Sequence, residues 1–217
     1  LNLTITFGYK KREKIFDGLD IVLPDNKITV ICGHNGAGKT TLLKTISGIL
    51  PSPIANSQGW YVPAQGGLIQ HFSLKEHLEI MSSKMKGASP VNDLLEQARK
   101  EFSVAEFENK KVSRLSTGQL MLASLIVAFA SESSLLLLDE PFGCLDPTNA
   151  EKLVRLLKNF SAAGRTIVIT SHDLYLTTEV ADKIIFLKDG KVSWEKDELN
   201  IKPISVDELK KEYTDYA

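Results

Sequence analysis

The octapeptide Gly33-His34-Asn35-Gly36-Ala37-Gly38-Lys39-Thr40 limits the architectures open to this chain more than any other segment. It fits the pattern G-x-x-x-x-G-K-[ST], whose glycines let backbone N–H groups curl around phosphate oxygens. In such a loop the lysine reaches the outer phosphates and the hydroxyl holds Mg²⁺, which makes Lys39 and Thr40 candidates for those roles. Gly36, Ala37 and Gly38 add backbone donors at a helix N-terminus, where the helix dipole favours an anion. The loop requires a buried strand before it and a helix after it, and both are predicted. Ile28 to Cys32 is a nearly continuous apolar run, read as a strand buried on both faces. Leu42, Leu43, Ile46, Ile49 and Leu50 then recur at helical spacing, a stripe able to lie on a sheet.

A second apolar run, Leu135 to Leu138, ends in Asp139-Glu140-Pro141. Nucleotide sites of open α/β sheets lie at the C-terminal ends of strands, so Asp139 is predicted to hold Mg²⁺ through water, opposite the phosphate loop. The Glu140 carboxylate can turn toward the terminal phosphate and orient, or take a proton from, an attacking water. A lone Asp-Glu pair is more often surface than site; the four leucines before it and the proline after it reverse that expectation.

Thr166 to Thr170 is a further strand-like run, separated from Leu135 to Leu138 by the helical pattern Leu153, Leu156, Leu157 and Phe160. Such alternation predicts an α/β fold with a mostly parallel sheet and helical crossovers. Leu3 to Phe7 alternates like a half-buried strand, and Asp189-Gly190 between Lys183–Lys188 and Lys191–Trp194 is a hairpin signal. From about Gly66 to Leu115 the chain reads mainly as helices, including Leu74 to Met81, and Val206 to Tyr213 reads as a charged surface helix.

At 217 residues one well-buried domain is expected, and 43% hydrophobic with 24% charged residues matches an ordinary globular chain rather than a disordered one. A formal net charge of −1 argues against nucleic acid as the main partner. Lys10-Lys11-Arg12 and Lys110-Lys111 read as solvated local runs, with contact to acidic headgroups the lesser reading. The longest largely apolar run, Leu120 to Ala130 with Ser124 inside it, is shorter than the ~20 residues a spanning helix needs, so no bilayer crossing is expected. No leader pattern opens the sequence, and a cytosolic location is expected. Cys32 and Cys144 lack a metal-ligand spacing and are expected to stay thiols. Cys32 reads as a small buried residue, with redox sensing the lesser possibility.

Between the phosphate loop and the acidic strand stands Leu115-Ser116-Thr117-Gly118-Gln119. This order of elements resembles the nucleotide-binding domain of ATP-binding cassette (ABC) proteins, over about residues 1 to 189. The resemblance implies a P-loop NTPase core with an N-terminal antiparallel β region and an inserted helical subdomain. The catalytic core would be residues 1–65 and 116–217, and the subdomain about 66–115, facing a membrane partner. It implies ATP and Mg²⁺ as ligands, with Asn35 and Thr41 joining residues 36–40 around the nucleotide.

The family signature reads LSGGQ, and Thr117 is the departure. By the resemblance, Ser116, Gly118 and Gln119 cap the γ-phosphate held by a second subunit's phosphate loop. Asp146, in Gly143-Cys144-Leu145-Asp146, lies in the loop coupling the two halves, although the family more often has Ser-Ala or a similar pair before Leu-Asp. His172, within Thr170-Ser171-His172-Asp173, takes the place of the switch histidine near the γ-phosphate. Tyr9 resembles the aromatic residue on which adenine stacks, with Phe7 the alternative; stacking contributes ~1–3 kcal/mol and tolerates any base.

Two further departures stand out. After Trp60-Tyr61-Val62-Pro63 the family places glutamine at once, whereas here Ala64 intervenes before Gln65. Either the loop is shifted by one or the contact is lost; Gln65 is read as the ligand of metal and water. Past the signature, family arginines give way to Leu120-Met121-Leu122 and Val127, a helix apolar nearly all round, which is either buried or a partner interface.

The resemblance implies an ATPase subunit of a transporter. Two copies, or this chain and a second ATP-binding subunit, would sandwich two ATPs and drive separate transmembrane permease subunits from the inner face of the membrane. The compact length points to export, by analogy alone. The rival is a soluble ABC ATPase acting without transport. Repair types interrupt the cassette with a coiled coil and translation-factor types carry it twice, neither of which fits; an assembly-factor role stays open. A non-enzymatic regulatory module is disfavoured by the presence of both Glu140 and His172.

Overall fold

In the computed structural model, which describes residues 1–9, 14–51, 59–82, 90–131, 133–197 and 204–216, a six-stranded sheet carries the fold. Its strands are β3 (Ile28–Cys32), β4 (Trp60–Val62), β5 (Leu135–Asp139), β6 (Thr166–Thr170), β7 (Lys183–Lys188) and β8 (Lys191–Asp197), ordered β4-β5-β6-β3-β7-β8. All neighbours are parallel except β7 and β8. The remaining strands, β1 (Asn2–Phe7) and β2 (Phe16–Val22), pair antiparallel in a separate sheet.

Why the apolar runs are continuous is plain from the packing. Leu136, Leu138, Ile167, Ile169, Ile184 and Phe186 point into one core, which also takes in apolar residues of most of the helices. Their neighbours Leu135, Leu137, Val168, Ile185 and Leu187 point into the other, filled by helix α1 (Lys39–Ile46) and the β1–β2 pair. Period two is present in β5, β6 and β7, hidden because both faces are dry. β1 has only one dry face and shows the alternation openly: Leu3, Ile5 and Phe7 are buried.

β2 was not predicted, for a physical reason. Ile5 pairs with Leu19 but Phe7 pairs with Phe16, so β2 holds one extra residue there, beside Gly18 at φ 68°. That bulge places Asp17 and Gly18 side by side on the exposed surface and breaks the alternation. α1 corrects the expected stripe: it ends at Ile46, Gly48 takes the left-handed conformation at φ 78°, and Ile49 is 59% exposed.

Residues 66–115 contain α2 (Leu74–Ser82), α3 (Pro90–Glu101) and two short 3₁₀ turns. Helix α4 (Thr117–Ala130) follows and is buried continuously from Met121 to Ala130, which decides between burial and a partner interface in favour of burial. α5 (Pro147–Ala162) stacks Phe160 on Phe129 of α4 at 4.2 Å. α6 (Leu174–Val180) precedes β7. The Asp189-Gly190 hairpin forms with φ of 47° and 72°; a Cβ on Gly190 would stand 1.7 Å from the Ile15 carbonyl oxygen. The predicted final helix, α7 (Val206–Tyr216), buries Leu209 and sets the Tyr213 ring edge-on to Phe186 at 5.7 Å.

The Lys10-Lys11-Arg12 run lies outside the described residues, and Lys110 and Lys111 are exposed. Among the described residues no helix is long and apolar enough to cross a membrane. Cys32 is fully buried, and burial pushes its thiol up to about 12, which keeps it protonated and unreactive and removes the redox reading.

Candidate active site

β3 delivers the chain into the phosphate loop beneath the end of β7. A Cβ on Gly33 would stand 2.3 Å from the Leu187 carbonyl oxygen, so only glycine lets the loop begin there. Gly38, left-handed at φ 102°, caps α1, and Lys39 opens the helix. The Lys39 ammonium lies inside the loop, nearly buried, and donates to the Gly33 carbonyl at 2.8 Å and the His34 carbonyl at 3.3 Å. Asn35, Gly36, Gly38, Lys39, Thr40 and Thr41 line an open depression of about 310 Å³, closed on one side by Glu140.

Parallel pairing of β5 with β6 sets Asp139 beside Thr170. The buried Asp139 carboxylate accepts three hydroxyl hydrogen bonds: Oδ1 from Thr170 at 2.6 Å, Oδ2 from Thr40 at 2.8 Å and from Tyr61 at 3.1 Å. The predicted metal hydroxyl and the predicted metal carboxylate thus meet directly. Their all-oxygen donor set suits Mg²⁺, a hard cation that takes few protein ligands and completes its shell with water and substrate phosphate. Burial, and next the Asp139 charge, push the Tyr61 phenol upward from its ordinary value.

Glu140 stands at φ 47°, left-handed for a non-glycine residue. Its N–H donates to the Thr170 hydroxyl at 2.9 Å, and its carboxylate Oε2 lies 2.8 Å from His172 Nδ1. His172 reaches this position from just past the end of β6, and Asp173 caps α6 by accepting the Leu176 N–H at 3.0 Å. Lys39, Thr40, Asp139, Glu140 and His172 are therefore gathered at the C-terminal edge of the central strands.

The other predicted residues are placed as follows. Tyr9 is 65% exposed, its hydroxyl 3.5 Å from the Thr41 hydroxyl at the start of α1. Phe7 is buried and touches Tyr9 edge-on at 5.1 Å, so of the two only Tyr9 offers an open ring. Ser116 caps α4: its hydroxyl accepts the Gln119 N–H at 3.2 Å while the Gln119 side chain accepts the Ser116 N–H at 3.2 Å. Among the described residues no hydrogen bond joins Ser116, Gly118 or Gln119 to the phosphate loop.

Asp146 caps α5, and the Asn149 backbone N–H, with its side-chain amide, holds the carboxyl below the usual range. Gln65 is exposed in the turn closed by Gly66 N–H to the Pro63 carbonyl at 2.9 Å, with no hydrogen bond to Asp139 or Glu140. Beside it the Ala64 carbonyl accepts the Cys144 thiol at 3.8 Å.

Tyr61 and Thr170 were missed by sequence reasoning. The signal for Thr170 was a hydroxyl residue ending an apolar strand that pairs with the acidic strand. His77 is a buried structural residue. Ile69 N–H donates to its Nε2 at 3.1 Å, so Nδ1 carries the proton and donates to the Ser73 carbonyl at 2.7 Å.

The family model for ABC transporters matches residues 16–143. Over 206 residues the chain is 31% identical to YhaQ of Bacillus subtilis, described as an uncharacterized ABC transporter ATP-binding protein, covering 88% of this chain and 67% of that one. It is 29% identical over 217 residues to the energy-coupling factor transporter ATP-binding protein EcfA of Carboxydothermus hydrogenoformans, covering 89% and 78%. Among solved structures, the dimeric post-hydrolysis state of the ATP-binding cassette MJ0796 bound to ADP and Pi matches with TM-score 0.75 at 25% identity, covering 90% and 96%. An ATP-binding subunit of an ABC transporter shares the fold with TM-score 0.82 at 23% identity, covering 98% of each chain.

Proposed function

The chain belongs to the ABC transporter family of ATP-binding proteins and is an ATPase, and from that premise we propose that it powers a transporter whose permease subunits are separate membrane chains. The observation that carries the reading is the junction of Thr40, Asp139, Glu140 and His172 at the mouth of the phosphate loop.

In this reading Lys39 leaves the loop carbonyls for the outer phosphates of ATP, and the N–H groups of residues 35–41 surround them. Thr40 and Asp139 hold Mg²⁺, with Gln65 as a further ligand of metal and water. Held there, Mg²⁺ would supply positive charge against the outer phosphates. Glu140 orients the attacking water and accepts its proton; the water oxygen bonds to the γ-phosphorus as the bond to the bridging oxygen breaks, releasing ADP and phosphate. His172 holds the Glu140 carboxylate and meets the γ-phosphate. Tyr9 stacks on adenine. Ser116, Gly118 and Gln119 complete the site of a second ATP-binding subunit, identical or paralogous, and Asp146 joins the two halves.

Residues 66–115 form the docking subdomain for the permease, and residues 1–65 with 116–217 the catalytic core. The protein works at the cytoplasmic face, held there through its partner. Export is the direction we favour, by analogy alone.

Blocking hydrolysis while leaving ATP bound should stabilise the closed pair by mass action. Glu140→Gln is expected to lose ATPase activity and to elute as a dimer at saturating Mg²⁺-ATP. A monomeric elution profile under that condition would overturn the reading.

A further inference from the structure

Thr170 is fully buried at the end of β6, in register with Asp139. Its hydroxyl does two things at once: it donates to Asp139 Oδ1 at 2.6 Å and accepts the Glu140 N–H at 2.9 Å. A hydroxyl has one proton, so with that proton on the carboxylate its lone pairs are left for the N–H, and neither bond competes with the other.

Both of its neighbours need such a hold. Glu140 sits at φ 47°, a backbone conformation that persists only where the surroundings over-determine it. Among the described residues Glu140 makes three hydrogen bonds: its carbonyl accepts the Gly143 N–H at 3.1 Å within the following turn, and the one to His172 engages the same carboxylate that must serve the water. The one to Thr170 engages the backbone and stays in place while the carboxylate works. On Asp139, Thr40 and Tyr61 share Oδ2, whereas among the described residues Thr170 is the donor to Oδ1. When Thr40 turns to a metal ion, Thr170 and Tyr61 are what keep the carboxylate in its plane.

We propose that Thr170 is a positioning residue for hydrolysis, tying the metal carboxylate and the catalytic base to a single hydroxyl. The proposal rests on the roles read above for Asp139 and Glu140. Valine at this position keeps the branched shape and supplies neither bond, leaving Oδ1 without its donor and the Glu140 N–H without its acceptor. Serine keeps both.

The test measures steady-state ATPase activity of the 217-residue chain together with binding of a fluorescent ATP analogue in EDTA, where the metal plays no part. Thr170→Val is expected to lower kcat by about tenfold or more with KM for ATP within about twofold, and to leave Mg²⁺-free binding unchanged. Thr170→Ser is expected to recover kcat to within about threefold of wild type. Thr170→Ala, which also lacks the hydroxyl, replaces the valine variant should that one not fold. Three results overturn the proposal: kcat of the hydroxyl-free variant within twofold of wild type, kcat and Mg²⁺-free binding falling together, or serine doing no better than valine. Glu140→Gln assayed alongside separates the two layers. If it still hydrolyses ATP, the reading of the site fails; if it is inactive while Thr170→Val is active, only the role of Thr170 fails.

Discussion

The buried thiol of Cys32 makes a quantitative prediction about alkaline stability. Its ordinary value is 9.0, and in the folded chain burial pushes it up to about 12 against smaller lowering effects from the Thr177 hydroxyl and Lys39. A group whose folded value is raised contributes stability fully present below its unfolded value and lost as pH rises through the folded one. The window is therefore pH 9 to about 12, with a slope of about 1.4 kcal/mol per pH unit and a total of about 4 kcal/mol. Urea unfolding of wild type and Cys32→Ala at pH 8 and pH 10.5 isolates it, because every other titrating group is common to both proteins. The alanine variant loses packing at both pH values and is less stable at pH 8. Between the two conditions wild type should lose about 2 kcal/mol more than the variant. Equal losses in both proteins would show that the thiol is not held protonated by burial, and the reasoning that excludes it from redox chemistry would fail with it.

Two further outcomes follow from geometry. Tyr9→Ala is expected to weaken ATP binding by about 1–3 kcal/mol, roughly fivefold to 150-fold in Kd, and to weaken GTP to a similar extent, since stacking ignores base identity; unchanged affinity in a titration would refute the stacking role. Gly190→Ala combines a left-handed backbone with a Cβ 1.7 Å from a carbonyl oxygen, and denaturant unfolding should show a loss of about 2–4 kcal/mol. Gly18→Ala, at φ 68° with open space around it, should lose only about 1 kcal/mol, and equal losses would contradict the clash.

Much of the catalytic edge was legible because its parts are local. A phosphate loop is one uninterrupted string, and β3, β5 and β6 announce themselves as apolar runs ending at it or at its acidic counterpart. The apolar helix after the signature was legible as apolar all round, but whether that meant burial or a partner interface was decided only by the packing: α4 has no face that meets water beyond its first turn. What escaped depends on register or on backbone irregularity. Tyr61 and Thr170 matter only because β4 and β6 flank β5 in parallel, aligning Tyr61 with Leu137 and Thr170 with Asp139. β2 was hidden by the bulge at Gly18, and the stripe after Lys39 ran past the true helix end because Ile49 and Leu50 continue the spacing by coincidence beyond Gly48. Phe7 and Tyr9 could be told apart only once the pleat showed which ring points inward.

The strands that carry the site differ in how firmly they are moored. β3 is bonded along both edges, to β6 and β7, and packed on both faces, so the cradle at its end cannot be shifted by flexing the strand beneath it. β4 is three residues long, at the sheet's margin, and among the described residues pairs only with β5, yet it bears both the Tyr61 hydroxyl and the turn around Gln65. Displacement is cheapest there. A change in the occupancy of the cradle would therefore be exported sideways, through this lightly tethered margin toward the helices that follow it, while the centre of the sheet stands still.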